Sequence, residues 1–154
     1  MEFQDFHPYY HESSALVIGI NEYKYASPLT YARNDAESVA ALLVSKLNFP
    51  EDRVTLIKDK DATRDAIMQA YLGYIGGMES PDERLLFFFA GHGLTMSGYQ
   101  GAVGCLVPAD GDPSRLATLI RWDDLTKNAD LILAKHILFI LDACFSGLAL
   151  KRVT

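Results

Sequence analysis

Four short apolar runs constrain this chain more than any other feature. ALVIGI (15–20), VTLI (54–57), LLFFFA (85–90) and HILFIL (136–141) are continuous rather than alternating, which is the pattern of strands buried on both faces of a parallel sheet. Segments of helical character separate them. Residues 31–47 place Val39, Leu42, Leu43 and Leu47 on one stripe. Thr63 stands where it can cap a second helix, running to about Ile75 and ended by Gly76 and Gly77. Residues 122–132 read as a shorter third helix, and the glycine-punctuated stretch 98–108 as a hairpin-like excursion. Strands alternating with helices predict an α/β doubly wound fold, a mostly parallel sheet flanked by helices.

Composition narrows the function classes. The 154 residues suit one domain, and 49% of them are hydrophobic, enough for an ordinary core. The formal net charge is -6 with no block of Lys or Arg, so neither a nucleic acid nor an acidic membrane surface is an expected partner. Two cysteines, Cys105 and Cys144, are too few for a disulfide framework and suit a reducing, cytoplasmic setting. Residues 1–13 are polar and aromatic, without the basic and apolar regions of a signal peptide, and are expected to form a surface arm. No apolar run approaches the ~18 residues of a membrane span.

In a doubly wound sheet, chemistry gathers beyond the carboxyl ends of the strands. Two of the expected strands end in a reactive side chain: His92 after the third and Cys144 after the fourth. If those strands are neighbours, a thiol and an imidazole meet at their tips. The imidazole can then take the thiol proton and later return it to a leaving amine. Gly91 and Gly93 strip side chains from around His92, leaving room for a peptide backbone. The Gly93 N–H and the Cys144 N–H could hold an oxyanion. The competing reading makes His92 a turn residue and Cys144 a small buried hydrophobe. Cys105, in GCLVP, reads as packed, and His136 as structural at the far end of the sheet. His7 and His11 carry no pattern, and no Cys or His spacing fits a zinc site. Ser146 lacks a Gly-x-Ser-x-Gly elbow, and the turn after the first strand lacks the glycines of a dinucleotide fingerprint.

ALVIGINEY, LTYARNDAESVAALL, FFFAGHG and FILDACFSG occur in that order, and together they resemble the large catalytic subunit of caspase-like cysteine peptidases, bacterial caspase homologues and metacaspases above all. The resemblance runs from Ser14 to Leu148, and Cys144 follows His92 by 52 positions, near the caspase spacing. It implies residues 14–150 as a catalytic large subunit and 151–154 as the start of an inter-subunit linker. The partner would be a small subunit, absent from this chain, that completes the sheet, with regulatory domains or an activator as further partners. Asp-Ala-Cys replaces the Gln-Ala-Cys of animal caspases, as in metacaspases. Asp142 lies two positions before Cys144, on the same side of an extended chain. The resemblance pairs it with Asp35 in a pocket for a basic residue, implying cleavage after Arg or Lys through charge-assisted contacts.

The departures are specific. Ala90 stands where metacaspases often have a serine, and Ala32 where they have a cysteine. Asp110, Asp123 and Asp124 fall at places matching a calcium cluster, but the last ligand would align near Lys151, which repels a cation. No cofactor is therefore expected, with calcium as the alternative. Lys151 and Arg152 form a basic pair beyond Cys144, a place for self-cleavage by an enzyme that prefers basic residues. Two other functions are weighed beside the endopeptidase: a catalytically silent caspase-fold scaffold, and a separase- or CHAT-type protease.

Overall fold

The computed structural model describes residues 9–144. Strands β1 (Ser13–Gly19), β2 (Val54–Lys58), β3 (Arg84–Ala90) and β7 (His136–Asp142) form one parallel sheet in the order β2-β1-β3-β7. A second, antiparallel sheet contains β4 (Gly93–Gly98), β5 (Gly101–Leu106) and β6 (Ile120–Arg121). The described elements also include three α-helices, α1 (Ala32–Leu47), α2 (Arg64–Leu72) and α3 (Trp122–Ala129), and three short 3-10 turns at 51–53, 59–61 and 116–118. None of them is long and apolar enough to cross a membrane.

The apolar runs of β1 and β3, the two inner strands, are buried on both faces, as expected of parallel strands. Those of the outer strands β2 and β7 are only partly buried, because each has a strand neighbour on one side only. Leu16 and Ile18 of β1 and Leu85, Phe87 and Phe89 of β3 face one core, which also takes Ile67 and Tyr71 of α2 and Leu125 of α3. Ala15, Val17, Phe88 and Ala90 face the other core, against α1. Tyr71, Phe87 and Phe139 pack ring to ring in the first core, with centroids 5.5–6.2 Å apart. Glu83 is buried ahead of β3. Its Oε1 accepts from the Glu79 and Ser80 N–H groups at 2.8 and 3.0 Å, and its Oε2 pairs with Arg53 at 3.2 Å. That full set of partners is what makes a buried carboxylate tolerable.

Several expected boundaries move. β1 opens at Ser13, inside the stretch assigned to the arm, and the arm's end is tied down: the His11 N–H donates to Asp82 O at 2.8 Å. α1 buries only part of the expected stripe, Leu43 and in part Val39. Leu42 and Leu47 are 50% and 48% exposed, and Ala32, Ala36, Ala40 and Leu43 form the buried face. Small residues win there because the helix lies very close to β1: a Cβ on Gly19 would sit 2.5 Å from the Ala32 carbonyl oxygen and 2.5 Å from Ala36 Cβ. α2 is capped by Thr63, whose Oγ1 accepts from the Ala66 N–H at 3.2 Å. It stops at Leu72 rather than Ile75, in a run of turns with Gly76 at φ +77. α3 ends at Ala129 instead of Ile132. The hairpin starts at Gly93, directly out of the Gly-His-Gly turn, and reverses at Gly101 with φ +128. Its first strand, GLTMSG, is too polar to register as an apolar run.

Candidate active site

β3 and β7 are neighbours in register, with Ala90 opposite Asp142. The ladder runs one step further, since the Gly91 N–H donates to Asp142 O at 3.2 Å. His92 and Cys144 therefore each stand two residues beyond a paired position, side by side at the carboxyl end of the sheet. The crossover that makes these strands adjacent brings the thiol and the imidazole to one place.

His92 is held on three sides. Its Nε2 lies 2.8 Å from the Ser27 carbonyl oxygen. A carbonyl can only accept, so Nε2 carries a proton, which leaves Nδ1 as the exchangeable nitrogen. Its backbone N–H donates to the Tyr23 hydroxyl at 2.8 Å, and its ring packs against the Tyr23 ring at 4.7 Å. Burial, the largest influence, pushes the Tyr23 phenol up to about 12, with Asp59 adding to the rise and the His92 bond opposing it. Tyr23 and Ser27 belong to the loop that leaves β1. That loop is pinned at its base by Asn21: its carbonyl accepts from Leu29 N–H at 2.8 Å, its Oδ1 from Arg33 N–H at 3.1 Å, and its N–H donates to Asp59 Oδ1 at 2.8 Å. Neither Tyr23 nor Ser27 was singled out from sequence. Their partner is 69 and 65 positions away, and nothing local in NEYKYAS marks a carbonyl for a histidine.

An open cleft of about 490 Å³ is lined by His92, Cys144, Asp35 and Asp142 together with Leu29, Thr30, Tyr31, Ala32 and Gly91. Asp35 comes from the first turn of α1 and Asp142 from the last residue of β7. Neither carboxylate has an ion pair among the described residues. Two unpaired carboxylates in one recess make a negative wall, which attracts a cation. Cys144 is exposed, whereas Cys105 is fully buried beside Leu94, Val107 and Leu119, and burial raises its thiol. Gly93 opens β4 beside His92 without lining the cleft. The Val107 N–H donates to His92 O at 2.9 Å, so by the alternation of an antiparallel ladder the Gly93 N–H points away from β5. His136 sits at the opposite end of the sheet, with Nδ1 3.1 Å from the Tyr10 hydroxyl. His7, Ser146, Lys151 and Arg152 lie outside the described residues.

The sequence matches the family described as Caspase domain over residues 12–153. The chain belongs to the caspase-domain family. It is 30% identical to metacaspase-6 of Arabidopsis thaliana over 145 residues, covering 86% of this chain and 38% of that protein. To metacaspase-3 of the same plant it is 26% identical over 151 residues, 88% of this chain and 40% of that protein. The chain thus spans about two fifths of the length of these relatives. In structure it resembles a protein of Geobacter sulfurreducens, with TM-score 0.70, 23% identity, 88% of this chain and 52% of the other. It also resembles caspase-1 of Spodoptera frugiperda, with TM-score 0.62, 19% identity, 94% of this chain and 54% of the other. At these identities the likeness is one of fold: a mostly parallel sheet between helices, the α/β caspase-like architecture.

The carboxylates that the resemblance offered to calcium do not gather in this caspase domain. Asp110 Oδ1 accepts from the Arg64 N–H at the start of α2, at 2.8 Å. Asp123 pairs with Arg121 at 3.6 Å, and Asp123 and Asp124 both occupy the first turn of α3, where the helix dipole favours acids. Among the described residues no three His, Cys, Asp or Glu side chains come together as a metal site, and the position near Lys151 lies outside them.

Proposed function

We propose that this caspase domain is the catalytic portion of a cysteine endopeptidase that cleaves after Arg or Lys. The observation that carries the reading is the single cleft lined by His92, Cys144, Asp35 and Asp142. In it, Cys144 Sγ attacks the scissile carbonyl carbon as a thiolate, its proton having passed to His92 Nδ1. The oxyanion is held by the backbone N–H groups of Gly93 and Cys144. His92 then protonates the leaving amine, and a thioester remains on Cys144. Water attacks the thioester, with His92 taking its proton, and the acid product leaves. The Ser27 carbonyl keeps Nε2 protonated throughout, and so stabilises the imidazolium as well as fixing the ring. Asp35 and Asp142 bind the substrate cation.

The partner of this portion is a small subunit that adds strands beside β7. In support, Leu138 and Ile140, on the β7 face away from the aromatic core, are 55% and 40% exposed. Sheet edges and apolar faces of this kind are ordinarily covered. A reducing, cytosolic compartment suits an exposed nucleophilic thiol. Lys151 and Arg152 would be the site of self-cleavage.

The test is a panel of fluorogenic peptides with Arg, Lys or Asp before the scissile bond, with and without calcium. We expect turnover after Arg and Lys, with Cys144→Ala and His92→Ala each losing roughly 10³-fold or more. Intact mass should show chain ends near Lys151 and Arg152 in the wild type and not in Cys144→Ala. Cleavage only after Asp would sink the specificity, and turnover surviving in Cys144→Ala would sink the nucleophile. No turnover under any condition would leave a caspase-fold scaffold.

A further inference from the structure

We propose that Tyr23 is a positioning residue for the reaction, its hydroxyl and ring setting the orientation in which His92 presents Nδ1 to Cys144. The inference rests on the Cys144–His92 reading above and extends it to a residue outside the reacting pair. In an antiparallel ladder every second facing pair exchanges two backbone bonds, and His92 and Val107 stand at such a position. At the base of the β4–β5 hairpin only one runs between the strands: the Val107 N–H donates to His92 O at 2.9 Å, while the His92 N–H is turned onto the Tyr23 hydroxyl at 2.8 Å. The Tyr23 ring then backs the imidazole at 4.7 Å, tilted by 50°. With Nε2 on the Ser27 carbonyl, the loop leaving β1 grips the histidine by backbone, ring face and one ring nitrogen.

Gly91 completes the arrangement. A Cβ there would lie 2.5 Å from the Tyr23 hydroxyl, so the first glycine of Gly-His-Gly makes room for that hydroxyl. Burial keeps the phenol neutral well above physiological pH, so it offers His92 a fixed dipole rather than a charge. The ionisable groups that share the cleft with the imidazole are Cys144, Asp35, Asp142 and Tyr31, with Tyr23 behind it and Asp59 acting on Tyr23.

The test reads the thiol directly, on the full chain, and needs no turnover. Alkylation of Cys144 by iodoacetamide is followed by intact mass across pH 5–10 in the wild type, His92→Ala and Tyr23→Phe; Cys105 is fully buried and serves as the unreactive control. The wild type should show a fast component near neutral pH that His92→Ala removes. Tyr23→Phe should lower that component about fivefold, the equivalent of one ordinary hydrogen bond, and should add nothing in the His92→Ala background. A role in stability alone would shift the thermal midpoint and leave the pH profile untouched. A folded Tyr23→Phe with the wild-type profile overturns the proposal while the His92 dependence stands. A wild type indistinguishable from His92→Ala overturns the dyad and this inference with it. Should Tyr23→Phe fail to fold, 3-fluorotyrosine at position 23 keeps the shape and weakens the acceptor; an unchanged profile there overturns the proposal equally.

Discussion

A methyl group on Gly91 would lie 2.5 Å from the Tyr23 hydroxyl and 3.0 Å from the Phe89 ring. Neither neighbour can move freely, because Phe89 is core and Tyr23 holds His92. Gly91→Ala should therefore destabilise the fold by about 1–3 kcal/mol, the range for overpacking a filled site, and slow Cys144 alkylation. Urea midpoints and alkylation rates check both effects; an unchanged midpoint would show that the turn relaxes. From sequence, the two glycines promised room for a substrate backbone. Gly91 does line the cleft, and the place its side chain would take is filled by a tyrosine from another strand's loop, which no reading of FFFAGHG could supply. His92 and Cys144 themselves were legible, because a reactive side chain directly after an apolar run marks a strand tip. So were Asp35 and Asp142 as candidates, although only the cleft brings them together with the pair.

Among the elements, α1 shows how packing overrides an apolar stripe. Its leucines at 42 and 47 look outward, and its alanine face lets the helix backbone approach β1. Gly19 is the strand's share of that contact. Gly19→Ala would place a Cβ 2.5 Å from the Ala32 carbonyl oxygen, a backbone atom that yields only if the whole helix shifts. The expected loss is about 1–3 kcal/mol with an unchanged denaturant slope. Asp35 sits in the first turn of the same helix, so under the proposed specificity the KM for an Arg or Lys peptide should rise as well. Strand existence was legible for β1, β2, β3 and β7, all apolar runs. β4 and β6 were not: one is polar and the other only two residues long, and both exist because β5 offers them backbone partners.

For the whole molecule, two phenols, Tyr71 buried and Tyr23 partly so, tie stability to alkaline pH. Burial pushes both Tyr23 and Tyr71 up to about 12, and the Tyr71 hydroxyl donates to Leu125 O at 2.6 Å. In the unfolded chain a tyrosine ionises near 10. Folded pKa values above unfolded ones mean that this stabilisation is complete below pH 10 and is lost as pH climbs toward 12. Unfolding free energy should be flat in this respect from pH 8 to 10 and fall by roughly 1–3 kcal/mol by pH 11. Urea titrations along that series, with Tyr71→Phe showing a shallower decline, measure it; an equal slope in the variant would rule Tyr71 out. By itself the sequence determined the alternation of buried strands and helices, the reactive residues at two strand tips and the acidic residues near them, because hydropathy period and chain spacing are local properties. Tertiary structure alone decided that β3 and β7 are neighbours, that Ser27 and Tyr23 grip the histidine, that Asp110 caps a helix, and that one face of β7 is exposed. Those depend on hydrogen bonds and contacts between residues dozens of positions apart, which the order of strands in the sheet brings together and the order of residues in the chain does not.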